Sequence, residues 1–351
     1  MVRVAARILV PVVVIAWLAS PAGACGGLVG ENGTISLVRT TTLAAYHDGV
    51  ERYVTSFEFT GQGKEVGSIV PLPDVPTKVE RAGDWTLQRL EREVAPPVLE
   101  ARDNAGFAAS AATHKDAQVI LKTKIDALDI TVLKGGGDAV GRWAIEHGFL
   151  LTPDAPEVLD FYARRSPVFM AARFDASRAA QLGQGTGDGT PIMVTIPTHQ
   201  PWVPLRILGL GLPKDKRVEA DVFVLTDRQP KLLAGGRGLS LDRNEEASPQ
   251  LLDDLRSDKG MGWLPDSMWL TYLKLGVNAG ALDYDLAIAA HPNTLPSVRD
   301  AGVTAAKARI IRVASHTRPW LPWLAGGFVA LVTWGAVATV SRRRRVEGIA
   351  A

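Results

Sequence analysis

Apolar and polar positions alternate with a period of two near the start of the chain and again past its midpoint, and this pattern predicts β-strands. Residues 34–42 and 50–60 are rich in β-branched and aromatic side chains, and His47-Asp48-Gly49 between them has hairpin-turn chemistry. Tyr53, Phe57 and Phe59 share one face of the second segment, against Ser56 and Glu58 on the other. Residues 66–72 predict a third strand, ended by Pro71 and Pro73, which cannot donate to a ladder. The period then lengthens. Trp85, Leu87, Leu90 and Val94 predict a helix over 84–94 that Pro96-Pro97 stops, and the alanine- and glycine-rich stretch 100–114 predicts a surface loop.

Further on, residues 125–133 predict a strand, and three glycines (135–137) turn the chain into a helix over 138–147. That helix has Asp138 as its N-cap, Trp143 facing inward and Gly148 at its end. A second helix over 155–164 starts at Asp154 and Pro156, a strand follows at 168–174, and a short helix at 175–182 leads into a glycine-rich loop at 183–189. Three closely spaced strands are expected at 192–196, 205–210 and 218–226. In the last, Val218, Ala220, Val222 and Val224 alternate with Glu219, Asp221 and Phe223, and residues 213–216 form the preceding turn. Residues 242–262 are charged and lack apolar periodicity, 268–275 and 284–289 return to apolar structure, and 304–315 is basic. The expected fold class is α+β, with β-rich blocks at about 34–73 and 190–227 joined by helices inside a domain spanning 25–316.

The two ends follow a different pattern. Arg3 and Arg7, the apolar run 8–19 and Ala22-Gly23-Ala24 form the three parts of a secretory signal over 1–24, with cleavage expected between Ala24 and Cys25. Residues 320–340 carry no charge, and about 20 helical residues at 1.5 Å each span the ~30 Å of a bilayer core. Arg342, Arg343, Arg344 and Arg345 follow, at a cost of ~2.5–3.5 kcal/mol each in the bilayer centre. They are expected to stop a transmembrane helix over 319–341 and to hold the tail 342–351 in the cytoplasm. The expected location is the plasma membrane, single-pass, with the N-terminal domain outside and the arginines against lipid headgroups. The chain's 39 basic and 37 acidic residues become 33 and 36 once Arg3, Arg7, the four arginines and Glu347 are set aside. So neutral a domain lacks the footprint of a nucleic-acid binder.

Cys25 is the only cysteine, which excludes an internal disulfide and a thiolate-rich zinc site. Three readings of it stay open: lipidation at the first mature position, an intermolecular disulfide, or a free thiol. The six histidines include no i, i+4 pair, so no zincin helix is present, and no metal ligand or cofactor residue is nominated. A stretch resembling a calcium loop (242–253) has Ala247 where the turn needs glycine and Asp253 in place of the bidentate glutamate. No G-x-S-x-G occurs, and the glycines at 135–137 lack the lysine of a phosphate loop. Asp283, Asp285 and His291 read as a solvated turn.

The residues Cys25-Gly26-Gly27, Val70-Pro71-Leu72-Pro73, ITVLKGGGDAVGRWAIEHGF, PVFMAARFD, GTPIMVTIP, PLRIL and EADVFVLTD resemble a bacterial family known only as domain of unknown function 2330. The resemblance implies an exported protein, commonly tethered by a C-terminal helix, and carries no catalytic residue. It also implies a second cysteine shortly after CGG in many members, where this chain has Leu28, Val29 and Gly30. The leading functional expectation is a non-catalytic surface module that binds an envelope protein or glycan. An extracytoplasmic hydrolase of an envelope polymer is the alternative. Convergent carboxylates in a cleft would favour the hydrolase, and a flat patch built from Trp85, Trp143, Trp202, Trp263 or Trp269 the module.

Overall fold

A computed structural model describes residues 27–30, 40–57, 66–95, 117–183, 189–291 and 293–312. The chain divides into two compact units, Met1–Arg312 and Val313–Ala351, and every described residue lies in the first. In chain order the first elements are β1 (Gly27–Gly30), β2 (Thr40–His47), β3 (Val50–Phe57), β4 (Val66–Leu72), β5 (Lys78–Arg81) and α1 (Thr86–Val94). The middle of the chain supplies β6 (Gln118–Ile125), β7 (Leu128–Lys134), α2 (Gly137–Glu146), α3 (Ala155–Ala163), β8 (Val168–Phe174) and α4 (Ala176–Leu182). There follow β9 (Thr190–Pro197), β10 (Trp202–Val203), β11 (Arg217–Thr226), β12 (Lys231–Gly235) and β13 (Leu239–Glu246). The last are α5 (Pro249–Ser257), β14 (Trp269–Asn278), β15 (Leu286–Ala289) and β16 (Ala308–Ile311). The fold is α+β and strand-rich.

Among the described residues three sheets form: β13-β14-β11-β2-β3-β9-β5, β1-β4-β8-β7-β6 and β10-β15-β12-β16. All neighbours are antiparallel except β11 and β2, which run parallel from Ala220↔Thr40 to Thr226↔Tyr46. The hairpin joining β2 and β3 turns on Asp48 (φ 50°) and Gly49 (φ 75°), the two left-handed residues that a tight hairpin loop with right-handed twist requires. Alternation then sorts the core. Ala44, Tyr53, Val194 and Val222 join Val70, Val132, Met170, Leu286 and Ile288 in a layer shared by the three sheets. The opposite face of the central sheet (Leu43, Val54, Phe223, Leu225) is covered by Leu87 and Leu90 of α1 and by Leu251, Leu252 and Leu255 of α5. On the five-stranded sheet, Ile69, Leu133 and Phe169 lie under Val140 and Trp143 of α2 and Leu159 and Tyr162 of α3.

Several sequence expectations are corrected. The β-rich blocks are not separate units. β2 and β3 join β9 and β11 in one sheet, while β1 and β4 belong to another. Residues 205–210 are a 3-10 turn over Arg206–Gly209, not a strand, because the backbone N–H groups of Leu205 and Arg206 are drawn onto the Asp285 carboxylate. The strand expected at 125–133 is β7, but its start is the end of β6 and a turn at Asp126 with φ 47°, so β6 itself goes unmarked in the sequence. The N-cap of α2 is Gly136, which offers no side chain, and Asp138 sits in the first turn instead. Asp221 and Phe223 are buried although they alternate with valines, because β11 is a central strand covered on both faces. The charged stretch 242–262 holds most of β13 and all of α5, and the basic stretch 304–315 contains β16. Within the calcium-loop lookalike, Asn244 accepts from Trp269 Nε1 (2.6 Å) and Thr271 Oγ1 (3.1 Å) as part of the β13–β14 ladder. Among the described residues no helix is long and apolar enough to cross a membrane. The expected signal (1–24), transmembrane segment (319–341) and tail (342–351) lie outside the described residues.

Candidate functional site

The five-stranded sheet carries a polar grid at the end that α2 leaves uncovered. Lys122 and Lys124 of β6 stand opposite Thr131 and Asp129 of β7, which in turn stand opposite Ala171 and Arg173 of β8. Residues two apart on a strand point to the same face, so these six side chains form one surface. The α2 helix ends at His147, and Gly148 (φ 84°) turns the chain so that Phe149 folds back over the sheet. Gly67 permits that approach, since a Cβ there would lie 2.3 Å from the Phe149 ring.

The result is a pocket of about 460 Å³, within the ~300–1,000 Å³ typical of small-molecule sites. Its apolar wall is Phe149, Ala171 and Trp143, and His147 stacks on Trp143 at 3.9 Å between ring centroids and 18° between planes. Three cations, Lys122, Lys124 and Arg173, line it with a single carboxylate, Asp129. Asp129 is already shared by Arg178 (3.0 Å), Lys124 (3.3 Å) and Arg173 (3.7 Å), so positive charge is in excess. His147 Nδ1 donates to the Trp143 carbonyl at 2.7 Å, leaving Nε2 on the other side of the ring. Burial lowers the His147 pKa, with the Trp143 carbonyl opposing, Lys122 adding to the lowering, Glu146 opposing and Arg173 adding again.

Elsewhere buried carboxylates are the chief chemistry. Asp285 Oδ1 accepts from Tyr162 Oη (2.9 Å), Leu205 N (2.7 Å) and Arg206 N (2.9 Å), and its Oδ2 pairs with Arg165. The Arg165 guanidinium lies over the rings of Phe161, Tyr162 and Trp202 at 4.4, 4.8 and 4.8 Å. Glu51 is equally buried, yet neither of its oxygens makes a hydrogen bond of good geometry. Burial pushes its carboxyl up to about 8, with a weaker opposing pull from the Trp202 backbone. A cleft of about 560 Å³ beside α3 presents Asp154, Glu157 and Asp283. Asp154 accepts from Gly211 N (3.0 Å), Glu157 pairs with Arg206 and Asp283 with Lys307 (2.5 Å). At the β2–β3 hairpin, His47 sits between Asp227 (2.6 Å) and Asp48 (3.3 Å), three groups that could hold a metal ion.

A family profile described as "Uncharacterized protein conserved in bacteria (DUF2330)" matches residues 19–227. The chain belongs to this family. The matched segment contains the whole polar grid of β6–β8, α2 and Phe149. No curated protein matches the chain. Among solved structures it is similar to baculovirus P35, at 12% identity over 75% of this chain and 96% of that one, with a TM-score of 0.36. It is also similar to a mutated baculovirus P35 after caspase cleavage, at 8% identity over 72% and 96%, with a TM-score of 0.31. A further likeness is to the caspase-8/P35 complex, at 9% identity over 72% and 91%, with a TM-score of 0.32. Likenesses this slight carry no argument about fold or function.

Of the residues singled out from sequence, Ala24, Cys25, Arg342, Arg343, Arg344 and Arg345 lie outside the described residues. The expected turn of Asp283, Asp285 and His291 is taken apart by the fold. Asp283 faces solvent with Lys307, Asp285 is fully buried, and His291 lies 3.1 Å from Tyr46 Oη. The tryptophans do not form a flat patch: Trp143 and Trp202 are buried and Trp85, Trp263 and Trp269 are half-buried. Sequence reasoning missed Lys122, Lys124, Asp129 and Arg173. The available signal was charge at alternate positions of neighbouring strands (122/124, 129/131, 171/173), which gains meaning only once the strands are paired.

Proposed function

We propose that this chain is a non-catalytic binding module of the bacterial cell envelope. In this reading the 319–341 segment and its four arginines hold it on the plasma membrane with the α+β domain outside. The pocket at the end of α2 binds a small ligand or a protruding group of an envelope component. The single observation that carries the reading is that pocket, where apolar and aromatic side chains converge with three cations whose only lining carboxylate is already shared. The hydrolase alternative has the cleft beside α3, where Asp154, Glu157 and Asp283 gather, but that cleft supports it less well. Each carboxylate there is already engaged, Asp154 by the Gly211 N–H, Glu157 by Arg206 and Asp283 by Lys307.

The test is native mass spectrometry of the full chain extracted gently from membranes of its host. A ligand retained by the wild type and lost from a variant with the pocket filled, Thr131→Phe, supports the reading. A ligand retained by both, or none in either, removes it. Protease treatment of intact spheroplasts tests the topology, which fails if the α+β domain is protected.

A further inference from the structure

We infer that the pocket at the end of α2 selects an organic anion with a flat, ring-containing apolar body. This rests on the proposed binding function and names its ligand class. The apolar body would lie among Phe149, Ala171 and the stacked Trp143–His147 pair, whose parallel planes continue into a ligand ring more readily than into a branched chain. The acidic head would reach Lys122, which makes no ion pair among the described residues, and Arg173, whose contact with Asp129 is long at 3.7 Å. Both cations therefore have donors to spare, and an anion would complete charge-assisted bonds that Asp129 leaves unmade. An uncharged ring would forfeit those bonds. A bare inorganic anion would forfeit the apolar wall.

His147 gives the inference a second readout. Its Nδ1 is committed to the Trp143 carbonyl, so protonation at Nε2 adds a donor on the ring's free edge. The charged groups facing it are Lys122 from β6 and Arg173 from β8, which disfavour its protonation, and Glu146 from its own helix, which favours it. A bound anion offsets the two cations. Binding should then take up a proton, and affinity should rise as pH falls through the histidine range.

The experiment is isothermal titration calorimetry on the full chain in detergent. The probes are 1-naphthalenesulfonate (whose charge does not titrate), 1-naphthol, inorganic phosphate and octyl sulfate. The inference expects the sulfonate to bind about tenfold or more tightly than naphthol, since charge-assisted bonds are at stake. It further expects weakening in Lys122→Gln, loss in Thr131→Phe, proton uptake at pH 7 that is absent in His147→Phe, and no binding of phosphate alone. Naphthol binding as tightly as the sulfonate, or octyl sulfate binding more tightly, would overturn the ring-anion class while leaving the pocket reading in place. The second of those outcomes would assign a lipid-like ligand. Sulfonate binding that survives Thr131→Phe would remove both, and no binding by any probe would remove the ligand class alone.

Discussion

Asp285 and Glu51 are both withdrawn from water completely, yet the protein treats them in opposite ways. Around Asp285, two backbone N–H groups, a tyrosine hydroxyl and a guanidinium converge on one carboxylate. Tyr162 is held protonated well above its ordinary range, first by burial and then by the Asp285 charge, so it stays a donor. Glu51 stands in β3 opposite Tyr46 and Ile196, and its oxygens make no hydrogen bond of good geometry, the Trp202 backbone giving only a weak opposing pull. The comparison teaches that burial alone does not define an ionisable group's role. A carboxylate with a full set of donors rivets elements together, whereas one without them carries a proton at neutral pH and resists losing it.

The sharpest way to break the comparison is to remove the rivet. Asp285→Ala leaves Arg165 buried and uncompensated, and a loss of ~3–5 kcal/mol is expected in chemical denaturation of the full chain. A loss below about 1 kcal/mol would mean that the network does not hold the 205–210 turn in place.

Glu51 should behave inversely. Its carboxyl is raised in the folded state to about 8 from an unfolded value near 4.5, so the folded protein binds the extra proton. Stability from this group is therefore fully present below about pH 4.5 and is lost as pH rises through about 8. Glu51→Gln should flatten that fall and exceed the wild type at pH 9, by on the order of 3 kcal/mol. Parallel pH profiles for the two proteins would refute the assignment.

Asp258 is an intermediate case. It lies just beyond α5, but its Oδ2 accepts from Thr86 N (2.8 Å) and Thr86 Oγ1 (2.6 Å), capping α1, whose own N-cap Trp85 offers no side-chain acceptor. Asp258→Ala should cost ~1–2 kcal/mol in thermal or chemical melts, as for other lost caps. The smallest effect belongs to Asp283, two residues from the rivet but paired with Lys307 on the surface. Asp283→Ala should change stability by ~0–1 kcal/mol, and a larger loss would show that proximity in sequence outweighs burial.

The same contrast explains what was legible in the sequence. The limits of β4 and β8 coincide with the stretches expected at 66–72 and 168–174, because each is a short apolar run with breakers at its limits, Pro71 and Pro73 for β4 and Pro167 and Asp175 for β8. Trp143 was expected to face inward and does, since helical spacing fixes its side. β13 was invisible because an edge strand pairs on one side only and can carry charge along the other. The β6–β7 turn was missed because Asp126 adopts a left-handed conformation without glycine to announce it. Asp285 read as solvated because its partners lie 79 to 123 residues away. The pocket was hidden for a similar reason. Its cations come from two non-adjacent strands, and no local spacing records that β7 runs between them.

The parallel pairing of β2 with β11 has a consequence in time as well as in space. His47 and Asp227, at the matching ends of those strands, are 180 residues apart in the chain. At ~5–20 residues per second, synthesis leaves the β2 edge without its partner for roughly 10–35 s. The β2–β3 hairpin forms within ~1–10 μs, so a paired but one-sided fragment must outlast its own folding by more than a millionfold. Until β11 arrives, that edge offers unpaired backbone groups to any other strand, an exposure that a purely local hairpin would not have.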